Sequence, residues 1–402
     1  MIQVKPAPQR ATPRNVWVLG FGSMFMDISS EMIHSLLPVF MATVLGASMI
    51  TIGVIEGIAE ATTAIIKVFS GLLSDYARKR KPLIVLGYGL AAITKPVFPL
   101  ATTIVWVFCA RFVDRIGKGI RGAPRDALVA DSVPPRLRGA AYGLRQALDS
   151  VGAFIGPLLA LALMVGFADD IRFVLWIAVF PAFLAVLLLT VAIREPEPSW
   201  DGKDSRIRLR LANAKRLSSR YWLIVALGAV FTLARFSEAF LILRAQGLGL
   251  AISFAPAVLI VMNIVYALVA YPAGAAADRL SARALLTVGL LVLVAADLIL
   301  ALARAPWIAL LGAACWGLHM ALTQGLLAKL VADAAPADLR GTAFGVFNLA
   351  NGGAMLLASV IAGMLWSLYG AAATFVAGAV FAAVAAIGSL FYHPRQLVSH
   401  SL

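Results

Sequence analysis

Apolar runs of about twenty residues recur along the whole chain, and each is long enough to cross a bilayer once as a helix. Nothing else in the sequence narrows the fold as much. Short strands of alternating polarity are absent, which argues against an outer-membrane barrel. Of the 402 residues, 61% are hydrophobic and 13% charged. A soluble protein of this size carries about 25% charged residues. The pattern predicts an all-α polytopic membrane protein. The first residues are polar and basic, and the first apolar run is long and contains acids, unlike a cleavable signal peptide. Cys109 and Cys315 both fall in apolar runs, with neither a disulfide framework nor metal-ligand spacing.

Twelve spans are predicted, at about 16–44, 49–73, 82–102, 104–128, 140–166, 172–194, 221–247, 252–275, 283–303, 306–331, 342–367 and 371–392. With the N-terminus in the cytoplasm, cytoplasmic segments hold 21 Lys and Arg and the opposite side holds two, Arg172 and Arg304, with eleven inside spans. The positive-inside rule then places both termini in the cytoplasm of a cell inner membrane. The same asymmetry accounts for the formal charge of +14 without nucleic acid. The segment from Arg194 to Arg220 carries eight basic residues and reads as a cytoplasmic linker. It separates an N-terminal six-helix half, 1–193, from a C-terminal six-helix half, 221–402.

The halves repeat. LVADSVPPRLRGAAYG (128–143) returns 202 residues later as LVADAAPADLRGTAFG (330–345). GLLSDYARKR (71–80) returns 203 residues later as GAAADRLSAR (274–283). Two pseudo-symmetric six-helix bundles are the build of a secondary transporter, with its site between them near the midplane.

These motifs resemble the major facilitator superfamily over essentially the whole chain. The family's loop signature after span 2 is matched by Gly71, Asp75 and the basic cluster from Arg78 to Lys81. Gly274, Asp278, Arg279 and Arg283 echo it in the second half. Tyr76 stands where the family has Arg, and Arg78 where it has Gly. In span 4, Arg115, Lys118 and Gly119 align with an Arg, Gln, Gly pattern, with Lys in place of Gln. In span 5, Gly143, Gly152, Gly156 and Pro157 match a spaced-glycine pattern associated with proton antiporters that export compounds, although Ala160 and Leu161 replace its terminal glycines. The resemblance implies that Asp75 bridges the halves near Arg340 and that Asp278 does so near Gly139, as gating contacts that break when access alternates. An acid at a helix N-terminus gains about 0.3–1 kcal/mol from the helix dipole when exposed.

The segment RFVDRIGKGIRGAPRD (111–126) interrupts the oil with seven charges. At the helical period, Arg111, Asp114, Arg115, Lys118, Arg121, Arg125 and Asp126 fall within an arc of about 140°. Phe112, Val113, Ile116 and Ile120 face the other way. A lipid-facing charge at a helix centre costs about 2.5–3.5 kcal/mol, so this stripe must face water or partners. The resemblance implies that spans 1, 4, 7 and 10 line the cavity. Span 1 offers Asp27, Glu31 and His34 on one face as proton-coupling candidates, joined by Glu238 in span 7, which is expected to pair with Arg235 at i,i+3. The cavity candidates are Arg111, Asp114, Arg115, Lys118, Arg121, Arg235, Trp316, His319 and Gln324. Glu56, Glu60 and Lys67 share one face of span 2 and read equally as a structural ladder. Lys95, Arg145, Asp149 and Asp297 lie off the lining helices and read as structural.

The resulting expectation is a proton-coupled exporter of a small organic compound, amphipathic or anionic, working as a monomer with no cofactor and no metal. No Gly-rich loop followed by Lys and Ser or Thr is present, so an ion gradient supplies the energy. Three alternatives stay open: an importer of an anion such as an organic acid or a siderophore, a divalent-metal exporter using Asp27, Glu31 and His34, and a non-transporting membrane receptor. No nucleophile–base constellation marks an enzyme. Topology is directly testable with cysteines introduced at Asp201 and Asp170 of a Cys-free variant. An impermeant thiol reagent applied to intact cells should label position 170 and spare position 201, and the reverse pattern overturns the orientation.

Overall fold

The computed structural model describes residues 14–77, 79–195, 216–279, 281–323, 326–336 and 339–391. Sixteen α-helices make twelve passes. The first six are α1 (Arg14–Val39), α2 (Met49–Ala77), α3 (Lys81–Thr94) continued by α4 (Val97–Leu100), α5 (Ile104–Asp131), α6 (Arg138–Gly166), and α7 (Ile171–Ile177) continued by α8 (Val179–Ala192). The second six are α9 (Ser219–Leu233) with α10 (Ala239–Gly247), α11 (Ala257–Arg279), α12 (Ala282–Leu302), α13 (Pro306–Thr323) with α14 (Leu326–Ala334), α15 (Arg340–Tyr369) and α16 (Ala371–Phe391). Among the described residues nine helical segments are long and apolar enough to span a bilayer by themselves. The passes that fall short are α1, α5 and the α9–α10 pair. They carry the span 1 acids, the charged stripe and a break in the helix. Most of the predicted linker lies outside the described residues.

That break corrects one expectation. Span 7 reads in sequence as one helix over 221–247, but it unwinds at 235–237. No Pro or Gly marks the place. The Ser237 hydroxyl accepts from the Ala239 amide and donates to Glu56 Oε2 across the bundle at 3.3 Å. Such a side chain offers the backbone an alternative to helical pairing. With the helix interrupted, the i,i+3 geometry for Arg235 and Glu238 is lost. The Arg235 guanidinium sits over the Phe231 ring instead, 5.7 Å from its centroid.

The apolar core is divided in a way that shapes the molecule. At the end remote from the termini, one continuous cluster joins α1 residues such as Leu36 and Phe40 to Phe236, Phe240 and Trp316 of the second half. At the terminal end there are two separate clusters. Val16, Leu19, Tyr88 and Leu189 belong to one, and Tyr221, Leu290, Val331 and Phe347 to the other. The halves therefore share one apolar core at one end and keep separate apolar cores at the other.

Helix α1 lies directly on α6, and glycine permits that approach. A Cβ at Gly156 would fall 2.8 Å from the Ile28 carbonyl oxygen and 2.8 Å from Glu31 Cβ, while one at Gly152 would fall 2.7 Å from the Met24 carbonyl oxygen. Gly143, of the same motif, has no heavy atom within 4 Å of its Cβ position. Backbone cannot yield as a flexible side chain can. Gly156→Ala should therefore lower the thermal unfolding midpoint in detergent, in line with overpacking losses of about 1–3 kcal/mol. Gly143→Ala should leave the midpoint unchanged or raise it through helix propensity.

Candidate functional site

The charged stripe of α5 splits into three parts. Toward the sealed end its charges are matched by acids and a lysine from neighbouring helices. Arg111 donates to Glu56 of α2 at 2.8 Å, and Arg115 lies 3.2 Å from Glu60. Asp114 accepts from Lys95 at 2.9 Å, and Lys95 also donates to Ser30. Arg111 further donates to His34 Nδ1 at 3.0 Å. A guanidinium cannot accept, so Nδ1 must be the acceptor and the ring is neutral, with its hydrogen on Nε2. That Nε2 faces Glu238 Oε2 at 4.0 Å. Together with Ser237 and Glu56, this contact spans the two halves directly above the shared core.

Toward the terminal end lies a second balanced group. Arg125 approaches Asp126 at 3.3 Å and Asp149 at 3.9 Å, while Arg145 approaches Asp149 at 2.6 Å and Asp126 at 3.7 Å. Two bases from α5 and α6 thus meet two acids from the same helices.

Between these groups is a cavity of about 580 Å³. Asp27 and Glu31 of α1, Lys67 of α2, and Lys118 and Arg121 of α5 line it, along with the Arg125–Asp126–Asp149 group. The second half contributes Asn263, Ile264, Tyr266, Ala267 and Leu268 of α11 and Met320 of α13. One wall is charged and the other is mostly apolar. Asn263 Nδ2 also donates to the Ala153 carbonyl of α6 at 3.2 Å, joining the two walls. Lys118 is exposed, so the cavity is open to solvent.

Of the predicted cavity residues, Lys118 and Arg121 line this space, and so do the proton-coupling candidates Asp27 and Glu31. Arg111, Asp114 and Arg115 do not; they are buried in ion pairs. Trp316 and His319 are buried within the second half. Trp316 Nε1 donates to Asp297 Oδ1 at 3.1 Å, and His319 Nδ1 donates to the Gly289 carbonyl at 2.7 Å. Arg235 sits beside that cluster, against Phe231. His34 and Glu238 meet at the seal between the halves. Gln324 lies outside the described residues. The same holds for Arg78 and for the side chains of Asp75, Asp278, Arg279 and Arg340, while Gly71 lies within α2. Next to that loop, Arg80 pairs with Asp131 at 2.6 Å, and Glu195 accepts from the Arg80 amide.

Sequence reasoning missed Lys67, Asp149, Asn263 and Tyr266 as lining groups. Asn263 and Tyr266 are polar groups at i,i+3 in an otherwise apolar span, which is a usable signal. Lys67 is left open in sequence and Asp149 reads as structural, because their distance from the other charges is a tertiary fact.

Twelve passes in two sets of six, closed at one end around a charged cavity, define a membrane transporter fold. The Major Facilitator Superfamily profile matches residues 19–352 and 236–401. This chain belongs to that family and is a multi-pass membrane protein. It is 34% identical over 388 residues to an uncharacterized MFS-type transporter of Methanocaldococcus jannaschii, covering 95% of this chain and 96% of the relative. It is 29% identical over 201 residues to the multidrug resistance protein MdtH of Photorhabdus laumondii, covering 48% of this chain and 46% of that one. In structure it resembles a bacterial homolog of the human lysosomal transporter Spinster, crystallised inward-facing and unoccupied, with a TM-score of 0.74 at 18% identity over 94% of this chain and 97% of the other.

The buried Arg111–Glu56 pair yields a stability test. Arg111→Leu should destabilise the protein by about 3–5 kcal/mol, because an uncompensated carboxylate remains in the interior. Adding Glu56→Leu should recover at least half of that loss in a thermal unfolding assay, since a neutral apolar pair carries no unmatched charge.

Proposed function

We propose that this chain is a proton-coupled inner-membrane transporter that exports a small organic compound by alternating access. Asp27 and Glu31 serve as its proton site. The single observation behind this reading is that, among the described residues, these two acids line the cavity with no base within ion-pair distance, while the six acids of α2, α5 and α6 that the ion pairs involve are matched. They sit one helical turn apart on α1, and both face the cavity. With the termini in the cytoplasm, the cavity faces the cytoplasm and the fused core seals the outer side. Cargo would enter from inside, and the halves would then rock against each other. The partial likeness to MdtH supports export, as does the glycine motif that seats α1 on α6. His34 and Glu238, at the seal, would separate when the outer side opens.

A second reading, proton-coupled import of an anionic solute, draws on three cavity bases with no acid within ion-pair distance among the described residues. Direction of substrate movement in inverted vesicles separates the two. The proton assignment is tested in proteoliposomes. Asp27→Asn and Glu31→Gln should each abolish transport driven by a pH gradient while sparing substrate exchange without one. Full pH-driven transport by both variants would reject the pair and turn attention to Glu238.

A further inference from the structure

Eight bases of α2, the α3–α4 pass, α5 and α6 lie within the span interiors: Lys67, Lys95, Arg111, Arg115, Lys118, Arg121, Arg125 and Arg145. Five of them stand within ion-pair distance of an acid: Lys95, Arg111, Arg115, Arg125 and Arg145. The three left over, Lys67, Lys118 and Arg121, all line the one cavity described above. Arg121 is the most telling. Its residue is only 5% exposed, and its Nη1 is buried with no hydrogen-bond partner. A buried guanidinium with an idle N–H is costly unless something else occupies that direction.

The surroundings hold Arg121 in place rather than neutralise it. Its guanidinium lies 4.4 Å from the centroid of the fully buried Tyr88 ring, and the Tyr88 hydroxyl is fixed against Ser23 Oγ at 2.8 Å. Lys67 is brought alongside by the packing of α2 on α5. Ser70 of α2 donates to the Gly119 carbonyl at 2.8 Å, and the Lys67 stem lies 3.8 Å from the Cβ position of Gly122. Arg121 and Lys67 are thus held beside Lys118 on one wall by contacts that do not involve an acid. Across the cavity, Ile264, Leu268 and Met320 offer apolar surface.

We propose that Lys67, Lys118 and Arg121 form an anion-binding subsite for the carboxylate, sulfonate or phosphate group of an amphiphilic cargo, whose apolar body lies against α11 and α13. This deepens the transporter reading and rests on it for the word cargo, but not for the binding. The charged and titratable groups around the subsite are Asp27 and Glu31 from α1, Glu60 from α2, Tyr88 from α3, Arg125 and Asp126 from α5, Arg145 and Asp149 from α6, and Tyr266 from α11. Glu60 is held by Arg115, and Arg125, Arg145, Asp126 and Asp149 balance one another. Three bases against Asp27 and Glu31 leave one net positive charge when both acids are ionised, and three when both carry protons. Anion and proton therefore load together. A purely anionic cargo would then move in the same direction as the proton. Exchange against protons requires a cargo that also brings a cation to displace the proton from the acid pair, which makes the exported species a zwitterion.

The test is equilibrium binding to the full-length purified protein, by calorimetry and thermal unfolding at constant ionic strength. The probes are phenylbutyrate, the neutral phenylbutanol and inorganic sulfate. Phenylbutyrate should bind saturably and more tightly than sulfate, with no saturable binding of the alcohol. Arg121→Gln and Lys118→Gln should each weaken phenylbutyrate by about tenfold, the loss of one charge-assisted hydrogen bond. Both variants should keep a wild-type unfolding midpoint in the absence of anion. Lowering the pH from mildly alkaline to mildly acidic should tighten binding in the wild type. Tightening that persists unchanged in the Asp27→Asn, Glu31→Gln double variant would leave the subsite standing and reject the acid pair as the proton site. Absence of saturable binding by both anions, or equal affinity in wild type and Arg121→Gln, overturns the subsite.

Discussion

Placing seven charges on one face of a bilayer-spanning helix is unfavourable unless each finds water or a counter-charge. The packing around α5 follows from that demand. Helix α2 brings Glu56 and Glu60, the junction of α3 and α4 brings Lys95, and α6 brings Arg145 and Asp149. Where the supply of counter-charge ends, the structure opens a cavity. Pairing and hydration therefore partition the stripe between scaffold and site. Ion pairs of this kind are a weak source of net stability, since desolvation offsets most of the attraction. Their strength lies in punishing misplacement: moving α2 or α3 along α5 would strand several charges at once.

The same logic ties the seal to the site. Glu56 accepts from Arg111 within its own half and from Ser237 across the interface. His34 contacts Arg111 and faces Glu238. The network that organises the first half thus reaches the break between α9 and α10 in the second. Opening the sealed end would have to disengage Ser237 and Glu238 while leaving Glu56 compensated by Arg111. The inter-half contacts there are single and long, at 3.3 and 4.0 Å, whereas the intra-half ion pair is short at 2.8 Å.

Much of the fold was legible in the amino-acid order, for a physical reason. Transfer into hydrocarbon acts on each segment separately, so every pass is encoded locally, and the predicted ends agree with the helices to within a few residues. The stripe was legible too, because helical periodicity is local. The break at 235–237 was not, because it depends on a serine hydroxyl reaching a carboxylate on a distant helix. Nor was the split of the stripe. Arg115 and Arg121 look alike in sequence, yet one meets Glu60 and the other lies over the face of Tyr88.

The sequence by itself determined the twelve passes, the duplicated halves, the family resemblance and the face of α5 that had to avoid lipid. Each of these depends on composition and period within one segment or on comparison of two segments. The tertiary structure alone decided which charges cancel and which remain, that Lys67 joins Lys118 and Arg121 at the cavity, and that Trp316 and His319 turn into the second half instead. Electrostatic pairing depends on separations of a few ångströms between helices far apart in the chain. No local pattern carries that information, so which residues are left uncompensated emerges only when the helices are packed.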